Sequence, residues 1–442
     1  MTVIPLSNRN RSDRLADSAA PRLVTELPGP RAREWIERDA AVASPSLGRV
    51  YPLVPARGDG LVIEDVDGNR YLDFNAGIAV TSTGHCHPRV VEAIERQSHA
   101  LLHYCSSDWY IPSYIELCEG LADCAPAGMG ATRTFLANSG TEAVEGAIKL
   151  ARQHTGRPNV IAFHGAFHGR SLGSLALTAS KARYRGGFGA MMPGVFHAPY
   201  GESGEIERTI LTHLTPPSDV AAIFVEPIQG EGGYVIPPAG WLAELRALCD
   251  EHGILLVADE VQSGVGRTGR MWAVDHEGIA PDLLLVGKGI ASGLPLAAIV
   301  ARDEIMQWEA GAHGSTFGGN PVACEAALAT LDLVEHGDQG VPLVDNARDV
   351  GAHLLAGLER MTDGHASVPG VHGRGLMIGV DFIDHDTAYA VEQECFRRGL
   401  LVLTCGVRTV RLAPPLVVTR EQADQAVAIL DDAVAAVEHT ER

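Results

Sequence analysis

The sequence predicts an α/β protein whose larger domain is built on a mostly parallel sheet, with a smaller α+β domain beside it. From about residue 88 to 335, helical periodicity alternates with short, wholly apolar runs. This alternation is typical of parallel strands joined by crossover helices. After residue 335 the composition shifts to further strand patterns and one capped terminal helix. We therefore expect a large domain over 81–335 and a small domain over 336–442. The N-terminal segment 29–80 is expected to form part of the small domain.

The N-terminal part contains three features in order. Residues 1–28 are polar, rich in proline, arginine and serine, and without periodicity, which predicts a disordered tail. A short helix is expected over 31–40. The Asp67-Gly68 pair between the apolar runs 61–66 and 71–74 is a strong signal for a β-hairpin.

The remaining elements follow from apolar runs and helical spacing. Six candidate strands of the large domain cover 134–137, 160–163, 220–225, 254–258, 283–286 and 297–301. Helices are expected over 241–251, 322–334 and 347–361, and strands of the small domain over 371–382, 400–404 and 410–412. Thr419 and Gln422 have the spacing of a capping box that opens the last helix.

Composition excludes several classes of function. The 442-residue chain has a net charge of 35 − 55 = −20 without a basic stripe, which argues against nucleic acid or an anionic membrane as a partner. Its eight cysteines are scattered without a Cys-x-x-Cys pair, as expected for free thiols in a reducing compartment. The sequence shows neither a signal-peptide core nor an apolar run of membrane-spanning length. We expect a cytoplasmic protein.

Lys288 has an unusual position. The chain contains only three lysines, and Lys288 alone directly follows an apolar strand, between two glycines. A buried, unpaired ammonium tends to lose its proton, which makes the amine a nucleophile capable of forming a Schiff base. A lysine whose amine reaches solvent from a strand end is the alternative, and position alone leaves both open.

Polar residues also follow the other predicted strands. Because ligands of open α/β sheets bind beyond the carboxyl ends of the strands, these residues are candidates for a site. Ser139 and Glu142 form a capping box whose helix start can hold a phosphate, or can be a plain capped helix. In the run 164–170, Phe167 can stack on a flat cofactor, or pack in the core beside a hydrogen-bonded His168.

Carboxylates come after two central strands. Glu226 and Glu231 lie in a glycine-rich turn, and Asp259 ends the run 254–258. A buried carboxylate needs a partner, which can be a protonated ring nitrogen, an arginine or a metal. A metal held by both Asp259 and Glu260 is disfavoured, because adjacent strand residues point to opposite faces.

Two other motifs resemble known sites. The run Gly264–Gly269 matches the dinucleotide pattern Gly-x-Gly-x-x-Gly, but it lies five residues beyond its strand and lacks the helix that should follow. His85, Cys86 and His87 suggest a metal, but a third ligand is not evident. We expect neither a nucleotide nor a metal.

Taken together, these residues indicate one cofactor, pyridoxal 5′-phosphate. Lys288 would form the imine with its aldehyde, and Asp259 would keep its ring nitrogen protonated so that the ring accepts electrons. Phe167 would stack on the ring. The phosphate would be held by Ser139, Gly140 and Thr141.

From about residue 45 to its end, the chain resembles the class III aminotransferases, which include 4-aminobutyrate, ornithine and acetylornithine aminotransferases. The resemblance rests on motifs that occur in one order: Phe-Asn-Ala-Gly-Ile-Ala-Val (74–80), Thr-Gly-His-Cys-His-Pro, Asn-Ser-Gly-Thr-Glu-Ala, Ala-Phe-His-Gly-Arg, Glu-Pro-Ile-Gln-Gly-Glu-Gly-Gly, Asp-Glu-Val-Gln-Ser-Gly, Gly-Lys-Gly, Ser-Thr-Phe-Gly-Gly-Asn-Pro and Val-Arg-Leu-Ala-Pro-Pro-Leu. It implies fold type I of the pyridoxal-phosphate enzymes. One departure is Ala291-Ser292, where many relatives have two glycines.

The resemblance implies specific roles. Lys288 and Asp259 are the expected catalytic residues. The expected cofactor-binding residues are Ser139, Gly140, Thr141, Phe167, His168, Glu226, Asp259, Gln262, Lys288 and, from the neighbouring subunit, Thr316. For the substrate, Arg411 matches the arginine that binds an α-carboxylate and Glu231 the glutamate that masks it. Arg170 matches the residue that binds a distal carboxylate, and Ile78 a pocket wall.

The resemblance thus predicts an aminotransferase that moves an amino group from an ω-amino or basic amino acid, such as 4-aminobutyrate, to 2-oxoglutarate. A homodimer, or a tetramer built from it, is expected, with active sites at the subunit interface. The alternative on the same scaffold is an amino-acid racemase or epimerase, because the runs around Arg170 and Glu231 also resemble those of such enzymes. An oxidoreductase that uses the Gly264–Gly269 loop is a remote third possibility.

Overall fold

A computed structural model describes residue 15, residues 19–338 and residues 340–440. The helices and helical turns are α1 (Pro30–Val42), α2 (Ala76–Ala79), α3 (Pro88–Ala100), α4 (Pro112–Asp123), α5 (Gly140–Thr155), α6 (Leu172–Leu177), α7 (Ser203–Glu205), α8 (Trp241–His252), α9 (Pro321–His336), α10 (Leu343–Thr362), α11 (His385–Arg397) and α12 (Arg420–Thr440). The strands are β1 (Pro55–Asp59), β2 (Val62–Asp65), β3 (Arg70–Asp73), β4 (Thr132–Ala137), β5 (Asn159–Phe163), β6 (Val195–Ala198), β7 (Val220–Val225), β8 (Leu255–Asp259), β9 (Leu283–Val286), β10 (Ala297–Arg302), β11 (Gly370–Arg374), β12 (Met377–Asp381), β13 (Leu400–Leu401), β14 (Leu403–Cys405) and β15 (Thr409–Leu412).

The central sheet confirms the predicted α/β fold class. Its strand order is β4-β10-β9-β8-β7-β5-β6. Neighbouring strands from β9 to β6 pair in parallel, and β10 is antiparallel to both of its neighbours. Every residue of β7 and β9 is buried, because helices cover both faces of the sheet. The resulting parallel strands direct their carboxyl ends to one edge.

Alternate residues of the central strands pack into two separate cores. On one face, Phe224 and Leu285 join the buried side of α5. On the other face, Ile223 and Leu284 pack with the apolar residues of α8. The period of two along each strand therefore lets one apolar run serve two helical layers.

Several strands differ from the sequence-based expectation. The strand β1 was not predicted, and the predicted strand over 400–404 is divided into β13 and β14, which belong to different sheets. The strand β6 has no counterpart among the predicted strands, because it is a half-buried edge strand with a histidine among its four residues. The predicted strand over 371–382 is instead a hairpin of β11 and β12. Gly375 turns the chain there with a φ of 55°, and a Cβ atom at this position would lie 2.4 Å from the backbone of Thr268.

The expectation of a disordered tail is wrong for residues 19–28. Arg22 exchanges two backbone hydrogen bonds with Arg70, of 2.9 and 2.8 Å, and the backbone N–H groups of Val24 and Thr25 donate to Asn69 Oδ1. Such bonds to the edge of a hairpin require no apolar periodicity, so the sequence pattern does not reveal them. The rest of the predicted tail, residues 1–14 and 16–18, lies outside the described residues.

The two ends of the chain meet in one sheet. The predicted hairpin is β2 and β3, and β3 pairs in parallel with β13 from the C-terminal part. A further sheet has the order β11-β12-β15-β14. The Thr419–Gln422 capping box is confirmed by reciprocal hydrogen bonds of 3.0 and 3.2 Å. The domain limits at residues 80 and 335 stay a prediction.

Within the described part of the chain, no helix is both long and apolar enough to cross a membrane.

Gly351→Ala tests how closely α10 must approach the β11–β12 turn. A Cβ atom at Gly351 would lie 2.2 Å from the carbonyl oxygen of Gly375, so backbone must move. We expect the free energy of unfolding to fall by about 1–3 kcal/mol, as for other overpacked sites. Gly120→Ala in α4 is the matched control, because its nearest neighbour is 3.7 Å away and alanine favours helix. Equal thermal midpoints for the two variants would contradict the packing argument.

Candidate active site

The carboxyl ends of the central strands enclose a cavity of about 410 Å³. Nine of the ten residues that were expected to bind the cofactor line it: Ser139, Gly140, Thr141, Phe167, His168, Glu226, Asp259, Gln262 and Lys288. The remaining wall comes largely from Val80, Val261 and the turn 293–296. Parallel pairing produces this convergence, because residues distant in sequence end their strands at the same edge.

Lys288 lies two residues after the end of β9, and its side chain lines the cavity. Its φ of 42° lies in the left-handed region, and it begins a short 3-10 turn. Burial lowers the pKa of the Lys288 amine below its ordinary value of 10.5, although nearby carboxylates, Glu231 first, act in the opposite direction. Among the described residues, none forms a hydrogen bond or an ion pair with its Nζ. The amine is therefore suited to act as a nucleophile.

Asp259 is held by His168, a pairing that the sequence did not reveal. Asp259 Oδ2 lies 2.7 Å from His168 Nδ1, and its Oδ1 accepts the backbone N–H of Val261 at 3.1 Å. Burial by itself lowers the pKa of His168, but the hydrogen bond and the charge of Asp259 raise it above its usual value overall. His168 thus fixes the orientation of the carboxylate. Its side chain is the hydrogen-bonded core histidine of the alternative interpretation, and it also lines the cavity.

Glu226 joins two loops at the cavity floor. It accepts the backbone N–H groups of Phe167 at 2.9 Å and Gly230 at 3.1 Å. Burial raises the pKa of Glu226 to about 7; His168 opposes the shift and Asp259 adds to it. These contacts place Phe167 at the cavity wall, as the sequence predicted for a stacking ring.

The start of α5 forms the other end of the cavity. Ser139 caps the helix and accepts the Glu142 N–H at 3.4 Å, while Glu142 accepts the N–H of Asn138 rather than that of Ser139. Gly140 cannot carry a side chain, because a Cβ atom would lie 2.9 Å from Val261. Thr141 Oγ1 lies 2.6 Å from the hydroxyl of Ser171. The exposed N–H groups at the start of this 16-residue helix suit an anion.

These residues fit pyridoxal phosphate, the cofactor that the resemblance implies. The cavity combines an amine, a carboxylate, an aromatic wall and a helix N-terminus. Two buried polar atoms in its lining, His168 Nε2 and Gln262 Oε1, have no hydrogen-bond partner among the described residues. A polar ligand would provide such partners. The individual cofactor contacts stay predictions.

Glu231 and Arg411 form a largely buried ion pair, and neither residue lines the cavity. Arg411 comes from β15, and its side chain is 4% exposed. Burial disfavours the charged form of both side chains, but the attraction between them outweighs it. The pKa of Glu231 is therefore lowered and that of Arg411 is raised. The predicted pairing of glutamate and arginine is therefore present in the structure.

Five predicted residues do not line the cavity of their own chain: Glu231, Arg411, Arg170, Ile78 and Thr316. Arg170 is exposed beside Phe167, and Ile78 is 38% exposed in the α2 turn, where its φ is 69°. Thr316 is exposed as well. For Thr316 this placement is compatible with the expectation that it acts on a neighbouring subunit. For Arg170 and Ile78 it means that the cavity proper does not include them.

The metal motif has other partners. His85 Nε2 lies 2.7 Å from Asp73, and His87 pairs with Asp338. Among the described residues, the cluster with metal-ligand spacing is instead a surface group of Glu207, Glu251 and His252.

The Gly264–Gly269 loop is packed inside the protein. A Cβ atom at Gly266 would lie 2.9 Å from Val334 of α9. Arg267, in the same loop, donates to the carbonyl oxygens of Leu376 and Pro414. The loop thus contacts C-terminal segments, and only a short 3-10 turn (Ala273–His276) follows it. It lacks the helix that a dinucleotide site requires.

The chain is similar to known enzymes over nearly its whole length. A family model described as "Aminotransferase class-III" matches residues 44–434. The chain is 40% identical to a 4-aminobutyrate aminotransferase of Mycobacterium leprae, over 90% of this chain and 95% of that protein. It is 37% identical to an alanine/serine racemase of Pyrococcus horikoshii, over 94% and 92%. Among solved structures, an ornithine aminotransferase of Toxoplasma gondii superposes with a TM-score of 0.85 at 32% identity, covering 93% of this chain and 96% of that one.

Asp259→Asn tests the role of the buried carboxylate. The neutral amide of asparagine cannot keep the ring nitrogen of pyridoxal phosphate protonated. We therefore expect the limiting rate of the enzyme's reaction to fall about 100-fold or more, while the absorbance of the bound cofactor is retained. Glu260→Gln is the matched control. Its carboxyl group is equally buried but accepts hydrogen bonds from Ser263 and Val274, and it does not line the cavity. A normal rate in Asp259→Asn would contradict the assigned role.

Proposed function

Because the chain belongs to the class III aminotransferases, a family of pyridoxal-phosphate enzymes, we propose that it moves an amino group from an ω-amino or basic amino acid to 2-oxoglutarate. We propose a donor of the type of 4-aminobutyrate. The observation that carries this proposal is the buried ion pair of Glu231 and Arg411.

Each cavity residue has a task in the proposed reaction. When bound, pyridoxal phosphate supplies an aldehyde that takes the amino group and a ring that withdraws electrons. Lys288 holds the cofactor through its amine and then moves a proton with Nζ, because burial favours the neutral amine. Asp259 keeps a proton on the ring nitrogen, and His168 orients Asp259 through the 2.7 Å hydrogen bond. The α5 N-terminus binds the phosphate.

The Glu231–Arg411 pair lets one site accept two differently charged substrates. While Glu231 neutralises Arg411, the site suits a donor that has no carboxylate next to its amine. When Glu231 moves aside, the guanidinium can bind the α-carboxylate of 2-oxoglutarate through two hydrogen bonds. Gly233, two residues after Glu231, has a φ of 120°, a backbone conformation that favours glycine.

The names of similar proteins support this class of donor. The relative of Mycobacterium leprae is named for 4-aminobutyrate, and the solved structure of Toxoplasma gondii for ornithine. Both compounds carry an amino group at the end of the chain remote from a carboxylate.

The direct test is to incubate the purified holoenzyme with 4-aminobutyrate and 2-oxoglutarate and to measure glutamate. We expect glutamate to form, and Arg411→Lys to raise the KM for 2-oxoglutarate about 10-fold or more, because a charged bidentate contact is lost. The first half-reaction with 4-aminobutyrate should change less. No glutamate from a broad panel of ω-amino and basic amino acids would overturn the proposal.

A racemase or epimerase is the second candidate, because one relative at 37% identity is named an alanine/serine racemase. The same cavity can abstract and return a proton without transfer of nitrogen. Incubation of single enantiomers without an oxo acid, followed by chiral chromatography, separates the candidates. Inversion without nitrogen transfer would favour racemisation.

We also propose a homodimer in which Thr316 reaches the partner's phosphate site. The segment 101–110 packs on the loop that carries Thr316: Ser106 donates to the carbonyl of Gly318 at 2.9 Å, and His103 lies 5.1 Å from the ring of Phe317. This surface, the Phe317 patch, exposes Leu102, Trp109, Tyr110 and Phe317. Tyr110 is 96% exposed in the single chain. Large apolar patches of this kind mark interaction surfaces.

Thr316→Val tests this arrangement. Loss of a hydroxyl that donates to a phosphate should raise the dissociation constant for pyridoxal phosphate about tenfold. The mass measured by light scattering should stay that of a dimer. Thr212→Val, at an exposed threonine outside the Phe317 patch, is the control and should bind cofactor normally. A monomeric wild type, or unchanged affinity in Thr316→Val, would contradict the proposal.

A further inference from the structure

Two aromatic rings hold the guanidinium group of Arg170. Its Cζ atom lies 4.5 Å from the ring centre of Tyr184 and 5.6 Å from that of Phe167. The two rings meet edge to face, with centres 5.9 Å apart. Cations at these distances are attracted to the faces of aromatic rings. Tyr184 therefore contributes the closer of two contacts that limit where Arg170 can point.

The hydrogen-bonding groups of Arg170 remain open. Among the described residues, the guanidinium forms these ring contacts but no hydrogen bond or ion pair to a protein side chain. A guanidinium presents five N–H donors in a planar fork that matches a carboxylate. Aromatic contacts orient that fork without using its donors, so an anion can still bind there.

The loop that carries Tyr184 is fixed to the large domain. Tyr184 ends a 3-10 turn (Ala182–Tyr184), and its N–H donates to the carbonyl of Lys181 at 3.1 Å. The next residue, Arg185, donates to the carbonyl of Ala176 in α6 at 2.9 Å. The first bond orders the turn itself, and the second connects the loop to α6.

The arrangement places a cationic group beside a residue of the cavity wall. Phe167 lines the cavity, and the exposed Arg170 contacts its ring. The resemblance assigns to Arg170 the donor carboxylate that is remote from the amine.

We propose that Tyr184 is a positioning residue that holds Arg170 for the carboxylate of the donor, so that the enzyme selects donors with a carboxylate remote from the amine. The inference rests on the proposed function and names the feature of the donor that is read. An exposed arginine without such contacts samples many rotamers, and a carboxylate must then bear the cost of ordering it. Tyr184 removes part of that cost before the donor binds.

The experiment compares two donors of equal chain length on the holoenzyme. The cofactor absorbance is followed after addition of 4-aminobutyrate or 1-aminobutane without an oxo acid. We expect Tyr184→Leu to raise the half-saturating concentration of 4-aminobutyrate about fivefold, the size of a lost cation–π contact. The limiting rate should be unaltered, and the response to 1-aminobutane, which has no carboxylate, should be unchanged.

Three further variants isolate the contact. Tyr184→Phe keeps a ring and should behave as the wild type. Arg183→Leu removes the other guanidinium near Tyr184, at 5.5 Å, and should leave donor preference unchanged. Arg170→Lys keeps the charge but loses the planar guanidinium. It should raise the half-saturating concentration of 4-aminobutyrate at least as much as Tyr184→Leu does. If Tyr184→Leu does not fold, Arg170→Lys still tests whether Arg170 binds the carboxylate of the donor.

A titration with butyrate, monitored by ligand-observed NMR, measures carboxylate binding without turnover. Tyr184→Leu should weaken butyrate binding by a factor similar to that for 4-aminobutyrate. Equal changes for both donors, no change for either, or an Arg183→Leu effect equal to that of Tyr184→Leu would overturn the inference. A wild type that reacts with neither donor would instead refute the proposed function, and the butyrate titration would still decide the role of Tyr184.

Discussion

Three ionisable side chains lie where wholly apolar strands leave the central sheet: Glu226, Asp259 and Lys288. Burial of a charge is costly unless a partner compensates it. Glu226 accepts two backbone N–H groups and Asp259 pairs with His168, whereas burial lowers the pKa of the Lys288 amine. The reactive character of the site follows from this difference, because of these three groups the amine is the one without a direct partner among the described residues.

Close packing keeps these groups in register. Val261, two residues beyond Asp259, lies against both Gly140 at the start of α5 and Gly287 before Lys288. A Cβ atom would approach Val261 to 2.9 Å at the first glycine and 3.1 Å at the second. The side chain of Val261 thus sets the distance between the start of α5 and the end of β9, which precedes Lys288. A Cβ atom at Gly140 would force Val261 or the backbone to move, and one at Gly287 would crowd the same side chain.

The ion pair of Glu231 and Arg411 joins two distant parts of the chain. Arg411 lies on β15, in the sheet of the C-terminal part, and pairs with Glu231 from the loop after β7. Arg267 donates to the carbonyl of Pro414, shortly after Arg411, and so connects the two parts of the protein. The large sheet therefore presents the side chains that line the cavity, whereas the contact between the two parts positions Arg411.

Local patterns were sufficient to predict six of the seven strands of the central sheet and the capping box at Thr419, and they identified Lys288 and Asp259 as candidates. An apolar run that ends in a charge or a polar cap reports burial, and burial is a property of a few neighbouring residues. The Asp259–His168 and Glu231–Arg411 pairs join residues 91 and 180 positions apart. Resemblance to a family suggested the second pair, but no local pattern indicated either contact.

The sequence by itself therefore determined the apolar strands of the central sheet, apart from β6, and that a lysine and an aspartate occur near the ends of two of them. Only the tertiary structure decided which charges meet, that residues 19–28 bind the hairpin edge, and that Tyr184 stacks on Arg170. The physical reason is that periodicity is a local constraint on each element. Pairing between distant side chains depends instead on strand order, loop paths and close packing, which the whole chain fixes together.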